Sequence, residues 1–571
     1  MRVPDLPSPV PARTGPRRGA ARRALTVGAC GLLALAATGA PALAGATPTA
    51  PAPAPQETAP DLAAAAAPTP LPEVTGPLPV TATSYPFGAA DHQRVPEDLA
   101  RYGYVEEEFL VSGKANVYDW PGPGPAVVRT PDVPYTTRVL VRRPASRDAF
   151  SGNVVVEMLN PSNLYDLNIG WALSHGQFLR QGDVWVGITV KPVTVASLKT
   201  FDPERYAPLS FRNPLPLSSP RNCAEPNTLI AGDSSRRTEN GLAWDVHSQV
   251  GAWLKSRARS NPLTYGVPAS APRPVQQLYG FGYSQTGGYL YTYINAIAPL
   301  DVRRNGAPIF DGYLVAVAGG AFAGTVPINQ CAPSIGVDDP RNQIRGAGVP
   351  VIHVMSASDY LLGIDSRRPD SDAPGDRYRH YEVPGMGHAT PDELYWSAAP
   401  EDIVRAGRTV PSISCGDGPR SRFPSGLVFD AAFQNLDRWV RRDVPPPRVP
   451  RIQVRDGQGV TDRFGNLVGG YRTPLVDVPT STWYGSSSGG GFCFIAGHEV
   501  PFGEDRLQRL YGSHARYVQA VSRSVDALVD DRLLTVADGR WVVEQARVSD
   551  VPESPDYPGP GGGEPQPRPL P

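Results

Sequence analysis

The chain has 571 residues and a net charge of −1, with 54 Lys and Arg against 55 Asp and Glu. This length exceeds the need of one average domain and leaves room for roughly two to four. Because charges of both signs are mixed along the chain, the composition argues against a nucleic acid or an anionic membrane surface as partner.

The first residues have the pattern of an export signal. Four arginines between residues 17 and 23 precede an apolar run at 24–37, and Ala42-Leu43-Ala44 forms a small-x-small cleavage site before Gly45. The run is too short to cross a bilayer, so we expect cleavage near Ala44 rather than a stable membrane anchor. The paired arginines leave the Sec and twin-arginine routes both open, and lipidation at Cys30 is less favoured. The sequence therefore predicts a secreted, extracellular protein.

Two segments of biased composition enclose the globular part. Residues 45–80 are rich in Ala, Pro and Thr, and residues 551–571 are rich in Pro and Gly. Neither composition can build a core, so we predict a disordered linker and a disordered tail. Residues 81–550 contain no internal repeat and no second linker, which predicts one large domain. We expect Pro-rich insertions at about 192–240 and 390–424 and a C-terminal extension at about 450–550.

The globular part alternates between strand and helix patterns. Two early strands, at 106–117 and 136–143, are close enough in sequence for an antiparallel start. The strands predicted after them are 153–159, 183–190, 275–281, 312–317, 351–355 and 378–383. The predicted helices are 170–180, 242–256, 285–297 and 427–441. This alternation predicts an α/β fold, with a mostly parallel central sheet covered by helices on both faces.

Four cysteines remain once Cys30 leaves with the signal: Cys223, Cys331, Cys415 and Cys493. In an oxidising compartment an even number favours two disulfides, and three pairings are open. The sequence has no C-x-x-C or H-E-x-x-H spacing, so we favour structural disulfides over a metal site. We predict no metal and no cofactor.

Residues 280–288, GFGYSQTGG, turn an apolar strand directly into a helix. Such a turn lifts a serine hydroxyl, here that of Ser284, above the edge of the sheet. The helix that follows supplies partial positive charge for a developing oxyanion. Thr286 takes the place of the usual second glycine of the G-x-S-x-G pattern, and Gly287 and Gly288 follow it.

The loops after two later strands carry the side chains that a serine nucleophile needs. The strand at 351–355 is followed by Asp359, and the strand at 378–383 is followed by His388. Hydrolases of this architecture order their groups as serine, acid and histidine, each beyond the carboxyl end of a strand. We therefore predict Ser284 as nucleophile, His388 as general base and Asp359 as the orienting acid, with Asp365 as the alternative acid.

Three other ionisable side chains compete for these roles. His353 and His380 lie within predicted strands, and Asp311 precedes a strand and so stands at the wrong end of the sheet. We expect structural roles for the two histidines and do not expect Asp311 to take part in the site.

An oxyanion site needs two backbone N–H groups. One belongs to Gln285, the residue after the nucleophile, and the other is expected from the loop after the strand at 153–159. That loop reads Asn-Pro-Ser-Asn, and proline has no N–H. The second donor is therefore predicted to be Ser162 or Asn163.

From about residue 80 to 547 the chain resembles the alpha/beta hydrolase domain proteins, a mostly bacterial family. The likeness rests on VVVEMLNPSN (154–163), GYSQTGG (282–288), ASD (357–359), RHYEVPGMGHA (379–389), LDRWVRRDVPPP (436–447), DRFGNLVGGYRTPLVDVP (462–479) and LYGSHARYVQAV (510–521). The last three pieces are the specific ones, because the others recur in many hydrolases. The resemblance implies an α/β-hydrolase fold and carboxylic-ester hydrolase activity, without a substrate.

The resemblance also bears on the parts outside the sheet. We expect the loops at 462–466 and 469–472 to pack against the catalytic core, as a structural extension rather than a substrate-binding one. The two insertions hold Cys223 and Cys415 and flank the catalytic loops, so we predict that they form a disulfide-braced lid.

The predicted function is that of a secreted esterase acting on a small-molecule, lipid or polymer ester. A secreted acyltransferase with the same three residues is one alternative, and a non-catalytic binding protein on the same scaffold is another. A peptidase is less favoured. The sequence predicts no nucleic acid partner and does not determine the oligomeric state.

Overall fold

A computed structural model describes residues 67–227, 235–267, 270, 274–319 and 326–554. The predicted export signal, linker residues 45–66 and tail residues 555–571 lie outside them. The strands are, in chain order, β1 (Ala67–Pro68), β2 (Glu73–Thr75), β3 (Tyr104–Asp119), β4 (Val127–Pro144), β5 (Asn153–Met158), β6 (Val184–Ile188), β7 (Gln277–Tyr283), β8 (Asp301–Val302), β9 (Gly312–Ala316), β10 (Val351–Ser356), β11 (Tyr378–Val383), β12 (Ser414–Cys415), β13 (Gly418–Pro419), β14 (Val454–Arg455), β15 (Gln458–Gly459), β16 (Ser481–Tyr484) and β17 (His498–Pro501). The α-helices are α1 (Ile169–Gln181), α2 (Pro192–Phe201), α3 (Ala243–Leu254), α4 (Gln285–Thr292), α5 (Asp392–Tyr395), α6 (Pro400–Arg405), α7 (Gly426–Arg442), α8 (Pro474–Asp477), α9 (Glu504–Tyr511), α10 (His514–Asp530) and α11 (Val536–Val548).

A nine-stranded sheet forms the centre of the described chain, in the order β11-β10-β9-β7-β5-β6-β4-β3-β2. The six strands from β11 to β6 are parallel, and β4, β3 and β2 continue the sheet in antiparallel fashion. Every residue of β6, β9, β10 and β11 is buried, as expected for strands covered on both faces. The predicted α/β fold with a mostly parallel sheet is confirmed.

The antiparallel end of the sheet extends further than predicted. Strands β3 and β4 form one long hairpin with an irregular register between Ala115 and Tyr118. Strand β2 pairs with the outer edge of β3, and its Val74 packs on the main core. The predicted linker was residues 45–80, but its last part contains β2 and belongs to the sheet. The difference has a physical cause, because β2 is stabilised by backbone pairing, which the composition of a segment does not reveal.

Helices cover both faces of the sheet, and the side chains of β7 show which helix lies on which face. Phe281 and Tyr283 point toward α7, where both contact Phe429. The side chain of Leu278 points the other way, toward Gly251 of α3, and a β-carbon added to Gly280 would meet Leu290 of α4. Ser284 thus follows a strand that is fixed between two helical layers.

The C-terminal extension packs on the sheet domain. Helices α9, α10 and α11 surround a second core cluster, which they share with Leu427 of α7. Nearer the sheet, the amide of Tyr471 donates to the carbonyl of Glu382 in β11 at 2.7 Å. Among the residues that the structure describes, no helix is both long and apolar enough to span a bilayer.

Two disulfides join distant parts of the chain, which confirms their predicted number. Cys223 pairs with Cys331 and Cys415 pairs with Cys493, with Cα–Cα distances of 5.5 and 5.6 Å. The second bond ties the segment before α7 to the extension. It thereby crosses from one predicted insertion to the C-terminal part of the chain.

Candidate active site

Ser284 stands at the sharp turn between β7 and α4. It is a half-buried residue with a φ of 56°, a left-handed conformation that non-glycine residues rarely adopt. Its amide donates to the carbonyl of Ala316 at the end of β9, at 2.9 Å. The turn therefore stays hydrogen-bonded to the sheet while the hydroxyl projects beyond the strand ends.

The departure from the usual glycine pattern has a local explanation. The hydroxyl of Thr286 lies 3.1 Å from the carbonyl oxygen of Tyr283 and 3.2 Å from its amide nitrogen. Thr286 is completely buried and closes the turn around the serine. At Gly287, an added β-carbon would lie 2.6 Å from the carbonyl oxygen of Ala316. Gly287, and not residue 286, is therefore where the helix needs a glycine to approach the neighbouring strand.

The structure brings the three predicted side chains into one hydrogen-bonded chain. Nε2 of His388 lies 2.7 Å from Oγ of Ser284, and Nδ1 of His388 lies 2.8 Å from Oδ1 of Asp359. Both His388 and Asp359 are buried. The loops after β10 and β11 supply these two groups at the same edge of the sheet as the serine turn.

The charges around His388 favour its protonated form. Burial of the ring lowers the pKa of His388, but the Asp359 carboxylate, with help from Glu393, outweighs this effect and holds the pKa above 6.5. Glu393 lies on α5 and pairs with Arg420 at 3.6 Å. Burial raises the pKa of Glu393 to about 7, against the opposing charges of Arg420 and His388. A second carboxylate therefore adjusts the imidazole from a distance.

Serine hydroxyls and a phenol hold the acid and histidine loops in place. The Ser356 hydroxyl donates to Oδ2 of Asp359, which leaves Oδ1 to face His388. The Ser358 hydroxyl accepts from the amide of His388 at 3.1 Å. The Tyr283 hydroxyl donates to the carbonyl of His388 at 2.6 Å. The sequence did not predict these contacts, because two of the three involve backbone atoms of His388 and no motif marks any of them.

The predicted oxyanion loop lies beside the serine turn. Nδ2 of Asn160 donates to the carbonyl of Tyr283 at 2.7 Å, and the Ser162 hydroxyl lies 3.3 Å from Oε1 of Gln285. The amide of Ser162, however, donates to Oδ1 of Asn160 at 2.8 Å. This intraloop turn uses the N–H of Ser162, which is one of the two predicted second donors; the other is Asn163. Gln285 is the first residue of α4. The first backbone amides of a helix have no acceptor within that helix.

The competing residues lie elsewhere. Asp365 is exposed on a short turn after the acid loop, and the described residues include no contact between it and His388. His353 and His380 are buried in β10 and β11, and both contact the Tyr378 hydroxyl. Asp311 precedes β9 and forms an ion pair with Lys255. In the described part of the chain, no group of three or more His, Cys, Asp and Glu side chains is placed to hold a metal ion.

Comparisons with known proteins assign the chain to a family. No curated protein matches it. A thermostable esterase from Pseudomonas putida is 12% identical over 55% of this chain and 83% of that chain, with a TM-score of 0.28. A carboxylesterase from Lactobacillus plantarum is 10% identical over 40% of this chain and 72% of that chain, with a TM-score of 0.24. The sequence model of the alpha/beta hydrolase domain family matches residues 74–544, and this chain therefore belongs to that family, as its motifs predicted.

Proposed function

We propose that the protein is a serine hydrolase that cleaves a carboxylic ester through an acyl-enzyme. The observation that carries the proposal is the continuous path from the Ser284 hydroxyl through His388 to Asp359, with links of 2.7 and 2.8 Å. This is the arrangement in which a neutral imidazole can take the proton of a serine as it attacks a carbonyl. Family membership supports the same reaction class.

The reaction has two half-reactions. In the first, the Ser284 oxygen bonds to the ester carbonyl carbon while Nε2 of His388 takes its proton. His388 then gives that proton to the departing alcohol, and the acyl group remains on the serine. In the second half-reaction, His388 takes a proton from water as the water attacks the acyl-enzyme. His388 returns that proton to Ser284, and the carboxylic acid product leaves. Asp359 holds Nδ1 of the imidazole and stabilises its charged form in both.

The oxyanion would be held by backbone amides. We assign one donor to Gln285 at the start of α4, where the positive end of the helix also favours negative charge. Asn163 is the proposed second donor. Losing one such donor typically costs about 10²–10³ in rate.

The substrate is proposed to be a small-molecule, lipid or polymer ester met outside the cell. The export pattern at residues 1–44 supports this location. The two disulfides agree with it, because such bonds persist in oxidising compartments. The Pro-rich insertions at 192–240 and 390–424 remain the proposed lid.

The test is covalent labelling with a fluorophosphonate probe, together with hydrolysis of a p-nitrophenyl ester. We expect labelling of the wild type, none in Ser284→Ala, and full labelling in the control Ser522→Ala, whose hydroxyl bonds to Val518 on α10. Wild-type protein that stays unlabelled would instead be a binding protein. Adding glycerol to the ester assay separates hydrolysis from acyl transfer, because a transferase would divert product from the free acid to the glycerol ester.

A further inference from the structure

We propose that a segment of the C-terminal extension is a positioning element of the active site. This segment, residues 485–497, is called the strap below. The carbonyl of Ile495 accepts hydrogen bonds from the amides of His388 and Ala389, at 3.0 and 3.1 Å. The inference rests on the proposed hydrolase function, because it assigns the strap the task of holding the base and the acid of that reaction.

The strap also contacts the acid loop, through Ser358. The Ser358 hydroxyl lies 2.5 Å from the carbonyl oxygen of Gly485 and 2.9 Å from that of Ile495, and it can donate its proton to one of them. The Ser358 hydroxyl oxygen also accepts from the amide of His388 at 3.1 Å. One hydroxyl, next to Asp359 in the chain, therefore joins the acid loop, the histidine loop and the strap.

The backbone of the strap lies so close to the backbone of both loops that neither of two glycines at these contacts could carry a side chain without a shift. An added β-carbon on Gly485 would lie 2.2 Å from the carbonyl oxygen of Ala357 in the acid loop. One on Gly387 would lie 2.4 Å from the carbonyl oxygen of Ala496. Each of the two catalytic loops thus meets the strap at a glycine.

The strap is itself tied to the segment that precedes α7. Cys493 forms a disulfide with Cys415, and the Gly416 amide donates to the carbonyl of Ser488 at 2.6 Å. At the far end, the Ser421 amide donates to the carbonyl of Gly497 at 3.0 Å. The loops that carry Asp359 and His388 follow different strands. The strap therefore fixes the distance between these two loops, and the disulfide between Cys415 and Cys493 anchors the strap.

The first experiment separates positioning from simple stability. Ser358→Ala should lower kcat by about 10- to 10²-fold with little change in KM, because small misplacements of catalytic groups have such costs. The acid limb of the pH profile of kcat/KM should move to lower pH in this variant, since Asp359 is the main group that raises the pKa of His388. Ser358→Thr keeps the hydroxyl and should restore most of the wild-type kcat and most of the wild-type pH profile. A loss of kcat that matches only the loss of folded protein, with an unchanged acid limb, would overturn the proposal.

The second experiment needs no activity. Hydrogen–deuterium exchange should show protected amides at His388 and Ala389 in the wild type, and loss of that protection when Cys415 and Cys493 are both replaced by Ala. The control replaces Cys223 and Cys331 by Ala, since that disulfide has no contact with the strap in the described residues. Equal protection of these amides in all three proteins would refute the proposed positioning role of the strap. Absence of fluorophosphonate labelling with normal exchange behaviour would instead refute the hydrolase function alone.

Discussion

Tyr283 donates its phenolic hydrogen to the backbone carbonyl of His388 at 2.6 Å, so the residue before Ser284 holds the histidine whose Nε2 faces the Ser284 hydroxyl. The two rings also meet edge to face, with centroids 5.6 Å apart. The serine turn and the histidine loop are thus joined by a contact that includes neither Oγ of Ser284 nor Nε2 of His388.

Tyr283→Phe should weaken this link while keeping the ring. The carbonyl of His388 would lose this donor in a buried place, and such a loss costs about 1–3 kcal/mol of stability. We expect a lower denaturation midpoint and a fall in kcat of about tenfold, with KM nearly unchanged. Steady-state kinetics and urea unfolding measure both. An unchanged kcat would show that the histidine loop keeps its position without the phenol.

Asp359→Asn should reduce kcat by about 10⁴, because an amide does not fix the tautomer that leaves Nε2 free to accept a proton. The matched control is Asp365→Asn, an exposed carboxylate six positions further on. We expect that variant to keep nearly full activity. A loss of less than about tenfold in Asp359→Asn would remove this residue from the proposed mechanism.

Activity of the wild type should fall on acidification with an apparent pKa above 6.5. The reason is that only neutral His388 can accept the serine proton, and its pKa is raised by Asp359 and Glu393. Glu393→Gln removes one of these charges, which is only partly developed below about pH 7, so the acid limb of kcat/KM should move slightly to lower pH. A limb that moves to higher pH in this variant would contradict the electrostatic assignment.

Gly485→Ala tests the close contact between the strap and the acid loop. The new methyl group would overlap the carbonyl of Ala357, so the loop that carries Asp359 must shift, and kcat should fall by about 10- to 10²-fold. Gly490→Ala is the control on the same segment. Gly490 has a φ of −90°, and its added β-carbon would meet nothing within 4 Å. Similar kinetics in the two variants would show that the contact can relax.

Glu157 makes the stability of the fold depend on pH. Its side chain is fully buried and accepts from the Gly170 amide and from Nε1 of Trp185, both at 2.8 Å, yet burial raises its pKa to about 7. Since the folded pKa exceeds the unfolded one, its contribution is complete below about pH 4.5 and is lost as the pH rises through about 7. We expect about 3 kcal/mol of unfolding free energy to vanish across that interval.

Denaturant unfolding between pH 4.5 and 8 measures this loss. Glu157→Gln should show a shallower decrease than the wild type, whatever its absolute stability. Glu504→Gln, an exposed change on α9, should follow the wild type. A parallel decrease in all three proteins would assign the pH dependence to other buried groups.

The order and places of Ser284, Asp359 and His388 could be predicted from the sequence, because each follows a run of buried-strand residues. In a parallel sheet such runs end at one edge, so local patterns were enough to bring distant residues together. In the structure, His388 lies within hydrogen-bond distance of both Ser284 and Asp359.

Other features could not be predicted, because they depend on backbone atoms and on long-range geometry. The carbonyl of Ile495 is chemically the same as any other carbonyl, so no residue pattern marks its contact with His388. The pairing of Cys415 with Cys493 was one of three open choices. The engaged amide of Ser162 reflects a turn made by Asn160, which a motif cannot show.

The place of the strap in the chain sets an order of events during biosynthesis. A ribosome completes the serine turn and both catalytic loops well before it reaches Ile495, and until then the amide of His388 has no such acceptor. A chain that ends before the strap would therefore contain Ser284, Asp359 and His388 but would lack the carbonyl that accepts from the amides of His388 and Ala389.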